Sequence, residues 1–241
     1  MPPWGTLTAK AGCEQTLLRT LLDTFESGDM MLGDGFYGTY FLLAELQSRK
    51  VNALFEQYGA RKRSTDFYKG EKPGYRDHLI TLTKPKVRPD WMTAEQYSAA
   101  PESLVIRELE VGGKLLITTL TCPISIPKQV LKALYQSRWQ VELDIRNIKT
   151  TLGMETLSCK TPQMGKKEMW VYLLAYNLIR LLMAQSALMA DVLPRTLSFK
   201  HTLQLWLGWS RTQNQTDAPD SISGLLLLVA EQSIGNRPGR I

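Results

Sequence analysis

The sequence predicts an α/β fold that carries a β-rich insertion and ends in a helical part. Near the N-terminus, two helical patterns alternate with two apolar runs. The first apolar run lies between the helical patterns and stops at Asp34. In the middle of the chain, Gly112-Gly113 joins two runs of strand composition, which is a strong hairpin signal. From Pro127 onward the apolar residues recur at helical spacing.

The first predicted part, residues 12–58, alternates helices and strands. Between residues 14 and 26 leucines repeat at i, i+1, i+4 and i+5, which predicts an amphipathic helix. The apolar run 30–32 stops at Gly33-Asp34-Gly35, as a buried strand with a carboxylate at its tip would. A helix over about 39–49 and a strand over about 51–58 complete this part.

The second predicted part, residues 59–126, is a β-rich insertion with a return strand. It opens with a basic run at 61–63 and contains several Gly and Pro residues. The runs 78–83, 104–111 and 115–121 have strand composition, and the glycine pair joins the last two.

The third predicted part, residues 127–213, is helical, and 214–241 form a C-terminal tail. Pro127 suits the first turn of a helix that continues until Gly153. The apolar stretch 166–190 predicts a buried core helix rather than a membrane span, because polar side chains that interrupt it would be costly in hydrocarbon. They are Asn177, Arg180, Gln185 and Ser186.

Composition narrows the class of protein only slightly. A formal net charge of +6 is compatible with a polyanionic partner such as DNA, but many other proteins share it. Three scattered cysteines indicate reduced thiols rather than a disulfide framework or a metal site. Because the N-terminus lacks the pattern of a secretory signal, we expect a cytoplasmic protein.

The helix predicted over 127–153 gathers polar residues on one side. At about 100° per residue, five of them fall within an arc of roughly 80°. The apolar residues of the same helix form a second arc that is expected to face a core. Asp144 falls on the side opposite Glu142, and we expect it to face solvent. The five polar residues are Tyr135, Arg138, Glu142, Arg146 and Lys149. The apolar arc consists of Leu134, Val141, Ile145, Ile148 and Leu152.

Two interpretations of the polar arc remain open on geometry alone. One is an ordinary surface helix with i, i+4 ion pairs through Arg138, Glu142 and Arg146. The other is a metal-binding carboxylate beside cations that bind phosphate.

The spacing of this helix resembles a known signature. Tyr135-Gln-Ser-Arg138-Trp-Gln-Val-Glu142, followed by Lys149, is similar to the Tyr-(2)-Arg-(3)-Glu-(6)-Lys signature of the insertion-sequence-4 family of bacterial DDE transposases. Residues 150–154 and 170–180 resemble the segments that follow in the family, and Gly33-Asp34 resembles its second-Asp segment. The resemblance covers about 12–240.

The resemblance implies a ribonuclease H-like catalytic core with a β-rich insertion between the second Asp and the Glu. Asp34 and Glu142 would then be catalytic carboxylates that hold two divalent metals, Mg²⁺ or Mn²⁺. The implied reaction is cleavage and transfer of DNA strands at insertion-sequence ends. Implied partners are those ends, target DNA, and a full-length transposase or second copy, with no membrane. Tyr135, Arg138, Arg146 and Lys149 would contact DNA.

The sequence also departs from the family pattern. The family's first Asp is expected upstream of Gly12, but only eleven residues precede it and none is acidic. Gly35 stands where Arg is more usual. We therefore expect a core truncated at both ends, without its opening strands and first carboxylate, and with little activity alone. The alternative is an inactive fragment that binds DNA or the full-length transposase and interferes with it.

Overall fold

The computed structural model describes residues 14–57, 65–213 and 222–234. Within it the chain divides into two compact units, Met1–Arg138 and Trp139–Ile241. The start of the resemblance at Gly12, the basic run 61–63 and the end of the predicted tail lie outside the described residues.

The first unit is built on a six-stranded mixed sheet. The strand order is β1-β2-β6-β5-β4-β3. The first two strands are parallel, and every other neighbouring pair is antiparallel. The strands are β1 (Met30–Gly33), β2 (Asn52–Glu56), β3 (Glu71–Gly74), β4 (Asp77–Thr83), β5 (Ser103–Val111) and β6 (Lys114–Thr118).

Helices cover both faces of this sheet because its central strands are apolar on both sides. Ala53 and Phe55 of β2 face one core cluster, while Leu54 between them faces another. Helix α2 (Tyr40–Ser48) packs in the first cluster, and helix α4 (Lys128–Ser137) packs in the second. Two shorter helices are α1 (Glu14–Leu21) and α3 (Ala94–Ala99). This mixed α/β arrangement is consistent with the ribonuclease H-like core that the resemblance implies.

The predicted glycine hairpin is confirmed. Gly112 and Gly113 join β5 to β6 with φ angles of 59° and 74°, and Val111 pairs with Lys114 across the turn. Two consecutive positive φ angles are the conformation that makes glycine favourable in a two-residue hairpin.

A buried ion pair ties the antiparallel strands to the start of α4. The Arg107 guanidinium donates through Nε and Nη2 to the Asp77 carboxylate, at 2.7 and 2.6 Å. Its Nη1 donates to the carbonyl oxygen of Ile126 at 2.7 Å, just before Pro127, the N-cap residue of α4. The Arg107 and Asp77 side chains are 1% and 5% exposed.

The second unit is helical. Helix α6 begins at Pro162, and the Thr161 side chain caps it by accepting a hydrogen bond from the Met164 backbone N–H at 3.3 Å. One face of α6 packs with α7 and α8 in a core that includes Ile179 and Met183. The helices are α5 (Trp139–Arg146), α6 (Pro162–Met189), α7 (Phe199–Gln213) and α8 (Ile222–Ala230).

The helical segment predicted over 127–153 is confirmed, but it is not one regular α-helix. The helix is divided at Arg138 into α4 and α5, and a π-helical turn, Asn147–Thr151, follows α5. A constant 100° per residue therefore does not hold along the segment. Val141 and Ile145, predicted to face a core, are 58% and 46% exposed.

The prediction of a buried core helix over 166–190 holds for one face only. Ile179, Leu182 and Met183 are buried, whereas Leu174 and Leu178 on the other side are more than half exposed. By length and composition alone, α6 could cross a membrane, a test that core helices of soluble proteins also pass.

Candidate active site

Asp34 follows directly after β1, as the sequence predicts. Its side chain is exposed, and Oδ1 accepts a hydrogen bond from the Phe36 backbone N–H at 2.9 Å. Its carbonyl oxygen accepts a second hydrogen bond, from the Tyr37 backbone N–H at 3.2 Å. These two bonds hold the carboxylate in a turn at the carboxyl end of a parallel strand, where α/β proteins commonly bind ligands.

Gly33 determines how closely this turn packs on the sheet. A Cβ atom at Gly33 would lie 2.9 Å from Cδ1 of Phe55 and 3.0 Å from Cδ2 of Tyr37. Both atoms belong to aromatic rings that pack beside the end of the strand. A larger residue would have to displace a ring or the strand end, and Asp34 would move with it.

Glu56 is an acidic neighbour of Asp34 that sequence reasoning missed. Gly33 pairs with Phe55 in the parallel register, so Asp34 and Glu56 follow at equivalent positions at one edge of the sheet. The Glu56 carboxylate accepts hydrogen bonds from Lys114 Nζ at 2.9 Å and from the Tyr135 hydroxyl at 3.1 Å. The sequence signal for Glu56 was its position directly after the apolar run 51–55. A strand parallel to β1 would place that residue at the same edge of the sheet as Asp34.

Tyr135 lies on α4 and is 5% exposed. Burial, followed by the negative charge of Glu56, raises the pKa of Tyr135 to about 12, so its hydroxyl remains a donor to Glu56. The Arg138 guanidinium carbon lies 5.8 Å from the centroid of the Tyr135 ring. The predicted DNA contact of Tyr135 stays a prediction, and in this structure the hydroxyl is engaged by Glu56.

The other predicted site residues belong to the second unit. Glu142 is half-buried in the first turn of α5, Arg146 is the exposed last residue of that helix, and Lys149 is exposed in the π-helical turn. Asp34, Tyr135 and Arg138 belong to the first unit. The structure thus places Tyr135 and Arg138 together, and it places Glu142 on the short segment that also carries two exposed cations.

The prediction that Asp144 faces solvent is wrong. Its side chain is 19% exposed and forms an ion pair with Arg180 and two hydrogen bonds with Arg195, at 2.8 and 2.9 Å. Burial alone would raise the pKa of Asp144, but hydrogen bonds from Arg195, Tyr176 and Arg180 outweigh it and lower the pKa. No residue of α5 is buried, and the Asp144–Arg180 ion pair joins α5 to α6.

The donor chemistry fits a hard divalent cation. Asp34 and Glu142 offer carboxylate oxygens, the ligand type that Mg²⁺ and Mn²⁺ prefer, while Glu56 is already paired with Lys114. Within the described ranges, no three His, Cys, Asp or Glu side chains gather into one metal-binding group. The metal-binding roles of Asp34 and Glu142 therefore stay predictions.

Comparison with known proteins identifies the family. The family model described as the transposase DDE domain matches residues 7–178. The chain is 33% identical over 129 residues to the transposase InsG for insertion sequence element IS4 of Escherichia coli (strain K12). That match spans 52% of this chain and 29% of the relative. No solved structure matches the chain. The chain belongs to the transposase DDE-domain family.

Proposed function

We propose that this chain contributes to metal-dependent cleavage and transfer of DNA strands at insertion-sequence ends. The observation that carries the proposal is the family match over 7–178, which includes both Asp34 and Glu142. The relative InsG is a transposase for an insertion sequence element, and we extend that class of DNA substrate to this chain.

In this proposal Asp34 and Glu142 would hold Mg²⁺ or Mn²⁺. When bound, such cations activate a water or 3′-hydroxyl nucleophile and stabilise the leaving oxygen of the scissile phosphate. Asp34 is suited to this role because it is exposed and its backbone turn fixes the carboxylate. The neighbouring Glu56 is neutralised by Lys114, which limits the negative charge that phosphate would meet at this edge.

The exposed cations Arg146 and Lys149 would bind the phosphate backbone near Glu142. Contacts of this kind fix the position of DNA without reading its bases. Tyr135 belongs to the first unit and donates its hydroxyl to Glu56. It would orient the Glu56 carboxylate at the end of β2. Arg138, beside the Tyr135 ring, is the third predicted DNA-binding cation.

A nicking assay with matched variants tests the catalytic proposal. The purified chain is incubated with supercoiled DNA that carries insertion-sequence ends, with and without Mg²⁺ or Mn²⁺. Because we expect little activity from the chain alone, its metal-dependent nicking should be slow, and Asp34→Asn and Glu142→Gln should each reduce it on the order of a hundredfold. Glu26→Gln, a change of an exposed carboxylate in the first unit, should leave the rate unchanged.

A second measurement separates DNA binding from chemistry. Binding should weaken as salt rises, and Arg146→Ala or Lys149→Ala should reduce the salt dependence by about one phosphate contact each. Lys200→Ala, an exposed lysine on α7, is the control. Salt-dependent DNA binding without nicking that Asp34→Asn and Glu142→Gln reduce would refute the catalytic proposal. It would support the alternative of an inactive DNA-binding fragment. Neither binding nor nicking would refute both.

A further inference from the structure

Helix α6 presents an exposed apolar face opposite the one that packs in the core. Ile179, Met183 and Ala187 mark the buried face. At about 100° per residue, the exposed residues lie roughly 150° away around the helix. We call this face the α6 stripe. It consists of Met164, Lys167, Val171, Leu174, Leu178, Leu181, Gln185 and Leu188.

The α6 stripe has the spacing of a helix-pairing seam. Its members alternate at intervals of three and four residues over the length of α6, as the a and d positions of a coiled coil do. Six of the eight are apolar, and their exposed fractions range from 48% for Met164 to 85% for Leu188. Contiguous apolar surface of this kind on a folded protein commonly marks a binding site.

The α6 stripe is complementary to a second copy of itself in antiparallel orientation. With the two-fold axis beside residue 176, Leu174 faces the partner's Leu178, and Val171 faces the partner's Leu181. At the two ends, Met164 faces the partner's Leu188. Each apolar member therefore meets an apolar member, and both halves of the contact come from the same residues, as a two-fold interface requires.

The two polar members determine the orientation. In the antiparallel arrangement Lys167 faces the partner's Gln185, within a turn of the end of the partner's helix. A cation is favourable there because the C-terminus of a helix carries partial negative charge. A parallel pair in the same register would place Lys167 against the partner's Lys167, which is repulsive.

The surface area that two copies of the α6 stripe would bury indicates a dimer of modest affinity. A fully exposed aliphatic side chain offers about 60–120 Å² of apolar surface. Weighted by their exposed fractions, the six apolar members present roughly 300 Å² in each copy. If about two thirds of the interface is apolar, the two copies would bury about 1,000 Å² in total. That is near the lower limit for a specific interface, and it corresponds to a weak, concentration-dependent association.

We propose that the chain forms a homodimer through antiparallel pairing of the α6 stripe. The dimer does not depend on metal binding or on strand cleavage, so its test is independent of the function proposed above.

Sedimentation of the full chain tests the assembly. The mass should rise from one copy toward two as protein concentration increases. Leu174→Glu, at the centre of the stripe, should weaken association more than about tenfold, because two carboxylates would enter the apolar seam. Leu193→Glu changes an exposed leucine outside the stripe and should leave association unchanged. Circular dichroism shows whether each variant is folded, and Leu181→Lys replaces Leu174→Glu if that variant is not.

Cysteine cross-linking tests the register. In a background with Cys13, Cys122 and Cys159 replaced by Ser, Leu174→Cys mixed with Leu178→Cys should form a disulfide-linked dimer on mild oxidation. Each variant alone should cross-link much less, because residue 174 faces 178 and not itself. Efficient cross-linking of each variant alone would contradict the antiparallel register.

Vesicle flotation tests the competing occupant. A chain that stays monomeric at high concentration and floats with phosphatidylcholine vesicles would show that the stripe contacts a membrane, and it would overturn the proposal. A chain that is monomeric and does not float would overturn it as well.

Discussion

The buried ion pair between Asp77 and Arg107 should contribute strongly to the stability of the first unit. Asp77→Asn keeps the shape of the side chain but removes the charge that compensates the guanidinium, which is 1% exposed. Removing one partner of such a pair typically costs about 3–5 kcal/mol. Arg107→Met should cost a similar amount, because it leaves a carboxylate buried at 5% exposure and also removes the bond to Ile126.

A double-mutant cycle separates the pair from its surroundings. The variant with both changes leaves no charge of this pair buried. Its loss in free energy of unfolding should therefore be smaller than the sum of the two single-variant losses by at least about 2 kcal/mol. Urea unfolding of the full chain measures each value, with circular dichroism and tryptophan fluorescence compared to check that the transitions coincide. Additive losses, or a single-variant loss below about 1 kcal/mol, would refute the reasoning.

Three further predictions concern the candidate site. Hydrogen bonds to Asp144 lower its pKa, so the stability that they provide should be lost as pH falls below the ordinary pKa of 3.8. In acid-unfolding curves, Asp144→Asn should abolish this loss of stability. Tyr135→Phe should lower the free energy of unfolding in urea by about 1.5–3 kcal/mol, because it removes a buried hydrogen bond to a carboxylate. Gly33→Ala should lower the free energy of unfolding in urea by about 1–3 kcal/mol through overpacking. Gly38→Ala is the control and should cost less in the same measurement, because its Cβ would lie 3.6 Å from the nearest neighbouring atom.

The sequence predicted the elements whose signals are local. The strand before Asp34 was identified from an apolar run that ends in glycine, and β1 ends at Gly33. The β5–β6 hairpin was identified because two adjacent glycines adopt a conformation that other residues resist. In both cases neighbouring residues determine the backbone, so tertiary structure was not needed to recognise it.

The remaining features depend on contacts between distant residues. No local signal divides the helix at Arg138, since neither Gly nor Pro occurs nearby. A helical wheel placed Asp144 in solvent because it could not include Arg180 and Arg195, which come from other segments. Glu56 was missed because its partners Lys114 and Tyr135 are distant in sequence.

The position of β6 between β2 and β5 has a consequence for how this protein can assemble. Leu54 pairs with Thr118, so the core strand acquires its second neighbour only after most of the inserted segment has folded back. Closing a loop of that length costs about 4 kcal/mol of chain entropy, and early formation of the local β5–β6 hairpin would reduce it. The inserted segment is thus not a detachable appendage. Excising it would remove the neighbour of β2, and exchange of this segment between related proteins should succeed only when β6 is retained.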